Sequence, residues 1–415
     1  MSLSSCGGSR DRNVVLIIID TLAAEHLSCY GYHRETSPFI DSLASGGTLY
    51  ARTQAQAPWT LPSMVTIYTG VTPRSHGCTY RDGFVWGLDP ELKTLPQFLG
   101  EAGYATAAFV NITYLGPNYG MAKGFDTFSI PENEGHGRAA ETVLEAVEWM
   151  ESENFEEPFL MVFHVFDPHL PYEPPTPYDT FYCDEGLAGH TEWRADETGA
   201  WYPQQRQHMI DLYNGEIRWT DSQIGTLLAE LRRRGLEDRT LVILTADHGE
   251  EFLEHGHWGH GPNLYQQSLH VPLIFSGPEI ESRVDSTIVG QYDILPTVLD
   301  YCGIDVPGYI EGVSLLAQGP VPERPVPSSA VIRRNDDTVF ASVRQLNMKA
   351  IWSPVGDSSE FYDLGSDPLE QDPAPTDSML LEEVLLYWAS PCICEPTELE
   401  RERIQARLRG LGYID

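Results

Sequence analysis

Two hydrophobic rhythms alternate over the first three quarters of the chain. Asn13-Val-Val-Leu-Ile-Ile-Ile-Asp20 is an unbroken apolar run, rich in β-branched residues, that ends in a carboxylate. That pattern suits a strand covered on both faces, as in the middle of a parallel sheet. Runs of the same kind recur at Ala105–Val110, Phe159–Phe166, Thr240–Ala246 and Val271–Phe275. Between them, apolar residues return every three or four positions: Ala140, Val143, Leu144, Val147 and Met150, then Ile210, Tyr213, Ile217, Ile224, Leu227, Leu228 and Leu231. This is the spacing of amphipathic helices. Strand and helix in alternation predict an α/β fold with helices on both faces of the sheet. The Pro-rich stretch Gly319–Pro327 then breaks the rhythm, and short polar–apolar alternations follow at Thr338–Val343 and Met348–Trp352, as in a small antiparallel sheet. A boundary is expected there, between a large α/β domain over 1–320 and a smaller one over 321–415, closed by a charged helix at Glu398–Leu411.

Charge narrows the partners. With 26 Lys+Arg against 61 Asp+Glu among 415 residues, the net charge is −35. Nucleic acid is excluded as the main partner, because a phosphate backbone attracts basic surfaces. The only lysines are Lys93, Lys123 and Lys349. An acidic, lysine-poor surface repels itself at low ionic strength and is screened by salt, which points to a halophilic host. The expected consequence is a melting temperature that rises from low to molar potassium chloride. Seven cysteines, scattered and without a CxxC pair, make neither a disulfide framework nor a zinc knuckle. The opening residues lack the apolar core of a signal peptide, and the run Val14–Ile19 is far short of a membrane span. A cytoplasmic protein without a transmembrane segment is the expectation; oligomeric state cannot be read from the pattern.

In open α/β sheets, chemistry gathers at the carboxyl ends of the strands. Asp20 ends the first strand and Asp247-His248-Gly249 ends the strand Thr240–Ala246. A single Asp at a strand end is ordinarily a loop or cap residue. Two such carboxylates with an adjacent imidazole make a better site for one divalent ion, zinc, manganese or calcium. Ala57-Pro-Trp-Thr60-Leu-Pro62-Ser63-Met64 opens a helix ended by Gly70. There Thr60 reads as the N-cap, and the helix N-terminus reads as an anion site. A threonine hydroxyl at that place, also bound to the metal, is a candidate nucleophile. Two histidine segments follow, His164-Val-Phe-Asp167-Pro-His169 and His255-Gly-His257-Trp-Gly-His260. Imidazoles serve both proton transfer and metal ligation, and the spacing alone does not say which of His164, His255 and His257 face inward.

These blocks resemble the sulfatases of the alkaline phosphatase superfamily. The likeness begins at Asp20-Thr21-Leu, Tyr30–Asp41, Pro58–Gly70 and Pro73-Arg-Ser-His76-Gly77. It continues through Phe163–Tyr172, Tyr213–Asp221, Thr245–Glu250 and His260–Ile274 to Asp293–Thr297, Gly312–Leu315 and Phe361–Pro368. The resemblance implies an α/β/α sandwich around a mixed, mostly parallel sheet, with a smaller C-terminal α+β domain carrying a short antiparallel sheet. It also implies metal-dependent hydrolysis of sulfate or phosphate esters.

The departures decide which chemistry is expected. Sulfatases carry Cys or Ser, any residue, Pro, Ser, Arg, and oxidise the first residue to formylglycine; here the stretch is Thr60-Leu-Pro-Ser-Met64. Threonine cannot give that aldehyde hydrate. The family's second metal-binding Asp is Thr21, and its Gly-Lys-Trp-His segment has become Val110-Asn-Ile-Thr113, without the Lys and His that hold sulfate. The remaining set, Asp20, Thr60, Asp247 and His248, is similar to that of threonine-nucleophile relatives acting on phosphodiesters and phosphonates. The resemblance therefore implies a small anionic ester substrate and phosphoryl chemistry in preference to sulfuryl chemistry. Thr60 attacks in line, N–H groups of the Leu61–Ser63 turn stabilise the equatorial charge, and His169 or His260 protonates the leaving oxygen. Asp167, His169 and His260 could hold a second metal, a reading ranked below the one-metal site. The alternatives are a sulfatase working without formylglycine and a member that binds anions without turnover.

Overall fold

The computed structural model describes residues 12–81, 84–130, 139–152, 157–183, 203–317, 321–332, 338–353 and 358–389. The helix expected at Glu398–Leu411 lies outside them. Eight strands form the main sheet: β1 (Asn13–Ile19), β2 (Thr48–Gln54), β3 (Ala105–Phe109), β4 (Thr127–Ser129), β5 (Phe159–Val165), β6 (Thr240–Ala246), β7 (Leu273–Ser276) and β8 (Arg283–Gly290). Their order is β8-β2-β7-β6-β1-β5-β3-β4, and β7 alone among them runs against its neighbours. The sheet is therefore mixed and mostly parallel, with β1 in the centre.

β1 explains the double-sided core. Every one of its residues is buried, and the pleat sends alternate side chains to opposite faces. Val14, Leu16 and Ile18 join one apolar cluster with Leu61, Met64, Val65 and Tyr68 of α2 (Thr60–Thr69), after α1 (Pro38–Ser45) in the chain. Leu95 and Leu99 of α3 (Leu95–Glu101) belong to the same cluster. Val15, Ile17 and Ile19 join the other cluster, with Val143 and Met150 of α4 (Ala139–Ser152) and Ile217, Ile224 and Leu231 of α5 (Pro203–Arg233). Helices thus cover both faces, which is an α/β/α sandwich. No helix among the described residues is long and apolar enough to cross a membrane.

The main differences from the sequence expectation are β2 and β8. Neither is an apolar run: β2 reads TLYARTQ, and the first half of β8 is largely exposed at the sheet edge. β8 lies at the sheet edge, where a strand needs one buried face at most and its hydrophobic signature is weak. β2, one strand in, is mostly buried but interleaves Thr, Arg and Gln with its apolar residues. The strand expected from Val271 begins at Leu273 instead; Pro272 has no N–H to give a ladder.

A second, four-stranded antiparallel sheet follows: β9 (Val326–Ile332), β10 (Thr338–Gln345), β11 (Met348–Ser353) and β12 (Ser358–Asp363), paired in chain order. Ala341, Val343, Ala350, Trp352 and Phe361 pack against Leu380 and Val384 of a helix over Ser378–Ala389. Ala330, Ile351 and Tyr362 instead extend the core of the main body. Lys349 of β11, fully buried, lies 2.7 Å from the Glu370 carboxylate, whose other oxygen accepts the Gln266 N–H at 2.6 Å. Breaking such a pair leaves an uncompensated buried charge. Lys349→Met is expected to destabilise the chain by about 3–5 kcal/mol in a denaturant titration, and Lys349→Met with Glu370→Gln to recover most of that loss.

Candidate active site

Strand pairing brings the expected residues together. β1 and β6 are parallel neighbours with Ile19 opposite Ala246, so Asp20 and Asp247 leave the sheet side by side. On the other flank of β1, Ile18 pairs with His164 of β5. The alternation that places Leu16 and Ile18, Leu160 and Val162, and Leu241 and Ile243 on the α2 face places Asp20, His164 and Asp247 there too. One ligand atom from each of these three lies within 4.8 Å of the others. They are the one group of carboxylates and imidazoles so arranged among the described residues, and all three are fully buried.

The turn after β6 sets the fourth member. Gly249 N–H donates to the Ser268 carbonyl at 2.8 Å, and a Cβ at position 249 would run into the Gln267 carbonyl oxygen, so the turn requires glycine. The Gln291 amide donates to the carbonyls of Ala246 and Asp247 at 2.7 and 2.6 Å, fixing the strand end. Asp247 Oδ1 accepts the N–H groups of Thr21 and His248 at 3.1 and 2.8 Å. Its Oδ2 has no hydrogen-bond partner, nor has either oxygen of Asp20. His248 Nδ1 donates to the Gly249 carbonyl at 2.9 Å. Its Nε2 is therefore the unprotonated nitrogen, and it stands 3.6 Å from Asp20 Oδ1, 3.4 Å from Asp247 Oδ2 and 3.4 Å from Thr60 Oγ1.

Buried carboxylates without donors are costly unless a cation or a proton compensates them. Burial, with Asp247 and Glu250 nearby, pushes Asp20 well above the ordinary carboxylate range. Burial raises Asp247 to about 7, against the opposing N–H bonds from His248 and Thr21. Burial also holds His164 down at about 3 and His248 well below its usual value. Orphaned oxygens facing unprotonated imidazole nitrogens are the donor set that a divalent ion satisfies. Asp20, Asp247, His248 and His164 fit one, with Thr60 beside them. Thr21, where the sulfatase pattern has its second Asp, contributes its backbone instead, at a φ of 55° that β-branched residues rarely adopt.

Thr60 is in place but not as a cap. The cap residue is Trp59, no side chain caps the helix, and Thr60 is the first helical residue, 4% exposed. The turn of N–H groups is also smaller than expected. Pro62 has none, and the Ser63 N–H points to the Trp59 carbonyl at 3.5 Å. The helix N-terminus therefore offers the N–H groups of Thr60 and Leu61, which have no intrahelical partner. The Ser63 hydroxyl donates to the Ala57 carbonyl at 2.8 Å and is not a competing nucleophile. Met64, at the position of the sulfatase arginine, is fully buried in the apolar cluster under α2.

His169 and His260 line up above His248. The His260 ring lies 4.4 Å from that of His248 and 4.9 Å from that of His169, which stacks on Phe166 at 4.3 Å. His260 Nδ1 is 3.0 Å from the buried Glu250 carboxylate. Burial opposes its charge, but Glu250 and Asp247 outweigh burial and raise it above the usual histidine value. His169 Nδ1 donates to the Leu170 carbonyl at 2.6 Å. The Asp167 carboxylate accepts the Ala139 N–H at 2.8 Å, at the start of α4, and Asp167, His169 and His260 are not grouped at ligand distance among the described residues. His255 is turned away, stacked on Tyr265 at 3.6 Å and bonded to the Glu370 carbonyl. Period-2 counting along Leu160, Val162 and His164 is the signal that could have picked out His164; nothing in the sequence marked Glu250 as the partner of His260.

A mostly parallel α/β/α sheet with carboxylates, imidazoles and a helix-borne hydroxyl at its strand ends is the architecture of the alkaline phosphatase superfamily. The sulfatase family model matches residues 12–304, and the chain belongs to that family. Arylsulfatase K of Bos taurus is 26% identical over 355 residues, 73% of this chain and 65% of its own length. An arylsulfatase of Clostridium perfringens is 23% identical over 377 residues, 73% of this chain and 77% of its own length. The chain spans less than two thirds of the length of the mammalian arylsulfatase K relatives. Among solved structures, the phosphonate monoester hydrolase of Agrobacterium radiobacter superposes with a TM-score of 0.74 at 20% identity, covering 95% of this chain and 96% of that one.

Proposed function

We propose that the chain is a metal-dependent hydrolase of small anionic esters, with Thr60 as nucleophile and phosphate or phosphonate esters preferred to sulfate esters. The observation that carries this reading is the place of the Thr60 hydroxyl. It sits on the first residue of α2, 3.4 Å from His248 Nε2, beside carboxylate oxygens that have no other partner. A divalent ion held by Asp20, Asp247, His248 and Thr60 would supply Lewis acidity and lower the pKa of the hydroxyl.

The residues divide the rest of the work. Thr60 forms its bond to phosphorus as the bond to the leaving oxygen breaks, and the Thr60 and Leu61 N–H groups face the equatorial oxygens. The Thr60 proton would pass to solvent as the metal-lowered pKa allows. His260, oriented by Glu250, gives its proton to the leaving oxygen. As a neutral ring it then takes one from the water that attacks phosphorus and releases the Thr60 oxygen. His260 is preferred to His169 for this task because the Glu250 carboxylate, 3.0 Å from its Nδ1, favours the charged ring. Formylglycine chemistry is disfavoured by Thr60 itself and by Met64, since an arginine at that buried apolar position would have an unpaired charge.

The test is a panel of chromogenic phosphate monoesters, phosphate diesters, phosphonates and sulfates, assayed on metal-free chain with zinc, manganese or calcium restored. Turnover of a phosphoester or phosphonate above that of the matched sulfate supports the proposal. Sulfate turnover alone would establish the sulfatase alternative, and metal binding without turnover of any ester would establish the anion-binding one.

A further inference from the structure

The donor set at the strand ends contains two imidazoles on opposite sides of one carboxylate. His164 is fully buried, and its Nε2 lies 3.6 Å from Asp20 Oδ2 without a hydrogen-bond partner. His248 Nε2 lies 3.6 Å from the other oxygen, Oδ1, and 3.4 Å from Asp247 Oδ2. Neither Asp20 oxygen, nor Asp247 Oδ2, nor His164 Nε2 has a hydrogen-bond partner. One donor atom each from Asp20, His164 and Asp247 lies within 4.8 Å of the others, close enough to share one ion, and His248 Nε2 approaches both carboxylates.

The second ring is also oriented. His164 Nδ1 lies 3.4 Å from Asn111 Oδ1, on a residue that is 1% exposed and follows β3. Asn111 stands where the sulfatase pattern places its sulfate-holding lysine, so the two departures belong together: the cationic side chain is absent, and its replacement turns to a second imidazole. A hydrogen bond to the far nitrogen is the usual device that fixes the tautomer and aim of a metal-bound histidine.

We propose that His164 is a ligand of the site's cation alongside Asp20, Asp247 and His248, that Asn111 orients it, and that the resulting two-imidazole set selects zinc over calcium. The proposal rests on the reading that this site binds a divalent ion. Two imidazole nitrogens beside the carboxylate oxygens and the Thr60 hydroxyl suit zinc, whereas calcium takes six to eight oxygens.

The decisive measurement is metal binding, not turnover. The metal-free chain is dialysed against zinc with calcium in large excess, its metal content is determined, and zinc X-ray absorption on the wild-type chain counts the imidazoles in the ligand shell. One zinc per chain with two imidazoles is the expected result. Asn111→Leu should weaken zinc binding about 10–100-fold. His164→Asn should weaken it further and narrow the preference over calcium. Zinc bound through one imidazole, or calcium retained in preference to zinc, would overturn the role of His164 while leaving the metal reading intact. A chain that binds neither ion would overturn both.

Discussion

Thr60→Ala is expected to lower turnover of the substrate ester by about four orders of magnitude or more, the scale seen when a covalent nucleophile is removed. The fold should survive. The Thr60 side chain makes no cap bond, and its hydroxyl has one long contact, to His248, so its loss costs no more than about 1 kcal/mol. Circular dichroism and melting temperature check that half of the prediction. Thr60→Ser keeps the hydroxyl and should retain measurable activity, although serine lacks the γ-methyl that restricts χ1 in threonine. Thr60→Cys is expected to be poor at phosphorus and to gain no sulfatase activity, because Met64 stays in its apolar pocket. Wild-type turnover in the Ala variant would remove Thr60 from the mechanism. Ser63 could not inherit the role without releasing its bond to the Ala57 carbonyl.

Asp247→Asn is expected to abolish both metal-dependent stabilisation and turnover. In the wild-type chain, a divalent ion at 100 times its dissociation constant should add about 2.7 kcal/mol to the unfolding free energy, and a chelator should remove it. In the variant the same ion should have little effect. The metal-free proteins should order the other way. Asp20 and Asp247 are raised carboxyls, so the folded state prefers them protonated. The Asp247 contribution is kept below the unfolded carboxyl range near pH 4 and lost as pH rises through about 7. Without metal, Asp247→Asn should therefore match or exceed wild type in stability near pH 8. A chelator-treated variant clearly less stable than chelator-treated wild type would mean that Asp247 serves the fold through its hydrogen bonds to Thr21 and His248, not the cation.

Much of this site is legible in the sequence because period and position are enough to find it. The continuous runs at Asn13–Ile19 and Thr240–Ala246 announce buried strands, and a buried parallel strand that ends in Asp points its carboxylate at the functional edge. What was not legible depends on neighbours across the chain. Thr60 has the composition of a cap, yet the backbone places Trp59 there and begins the helix one residue later. Asp167 reads as a metal ligand beside His169, and the sequence does not show that its carboxylate also meets the Ala139 N–H at the start of α4. β8 lies at the sheet edge, where polar residues are tolerated and periodicity fades, and its neighbour β2 mixes polar residues into a mostly buried strand. His164 needed the register of β5 against β1 before its ring could be set against Asp20.

The central claim is that Thr60 becomes covalently attached to the substrate's phosphoryl group. The most direct test is to quench steady-state turnover of the best phosphoester or phosphonate substrate in acid, digest the chain and map the modified residue by mass spectrometry. The account predicts a phosphoryl or phosphonyl adduct on Thr60, present during turnover and absent from Thr60→Ala. Turnover with no adduct at any time point in rapid-quench sampling, or an adduct on another residue, would contradict it.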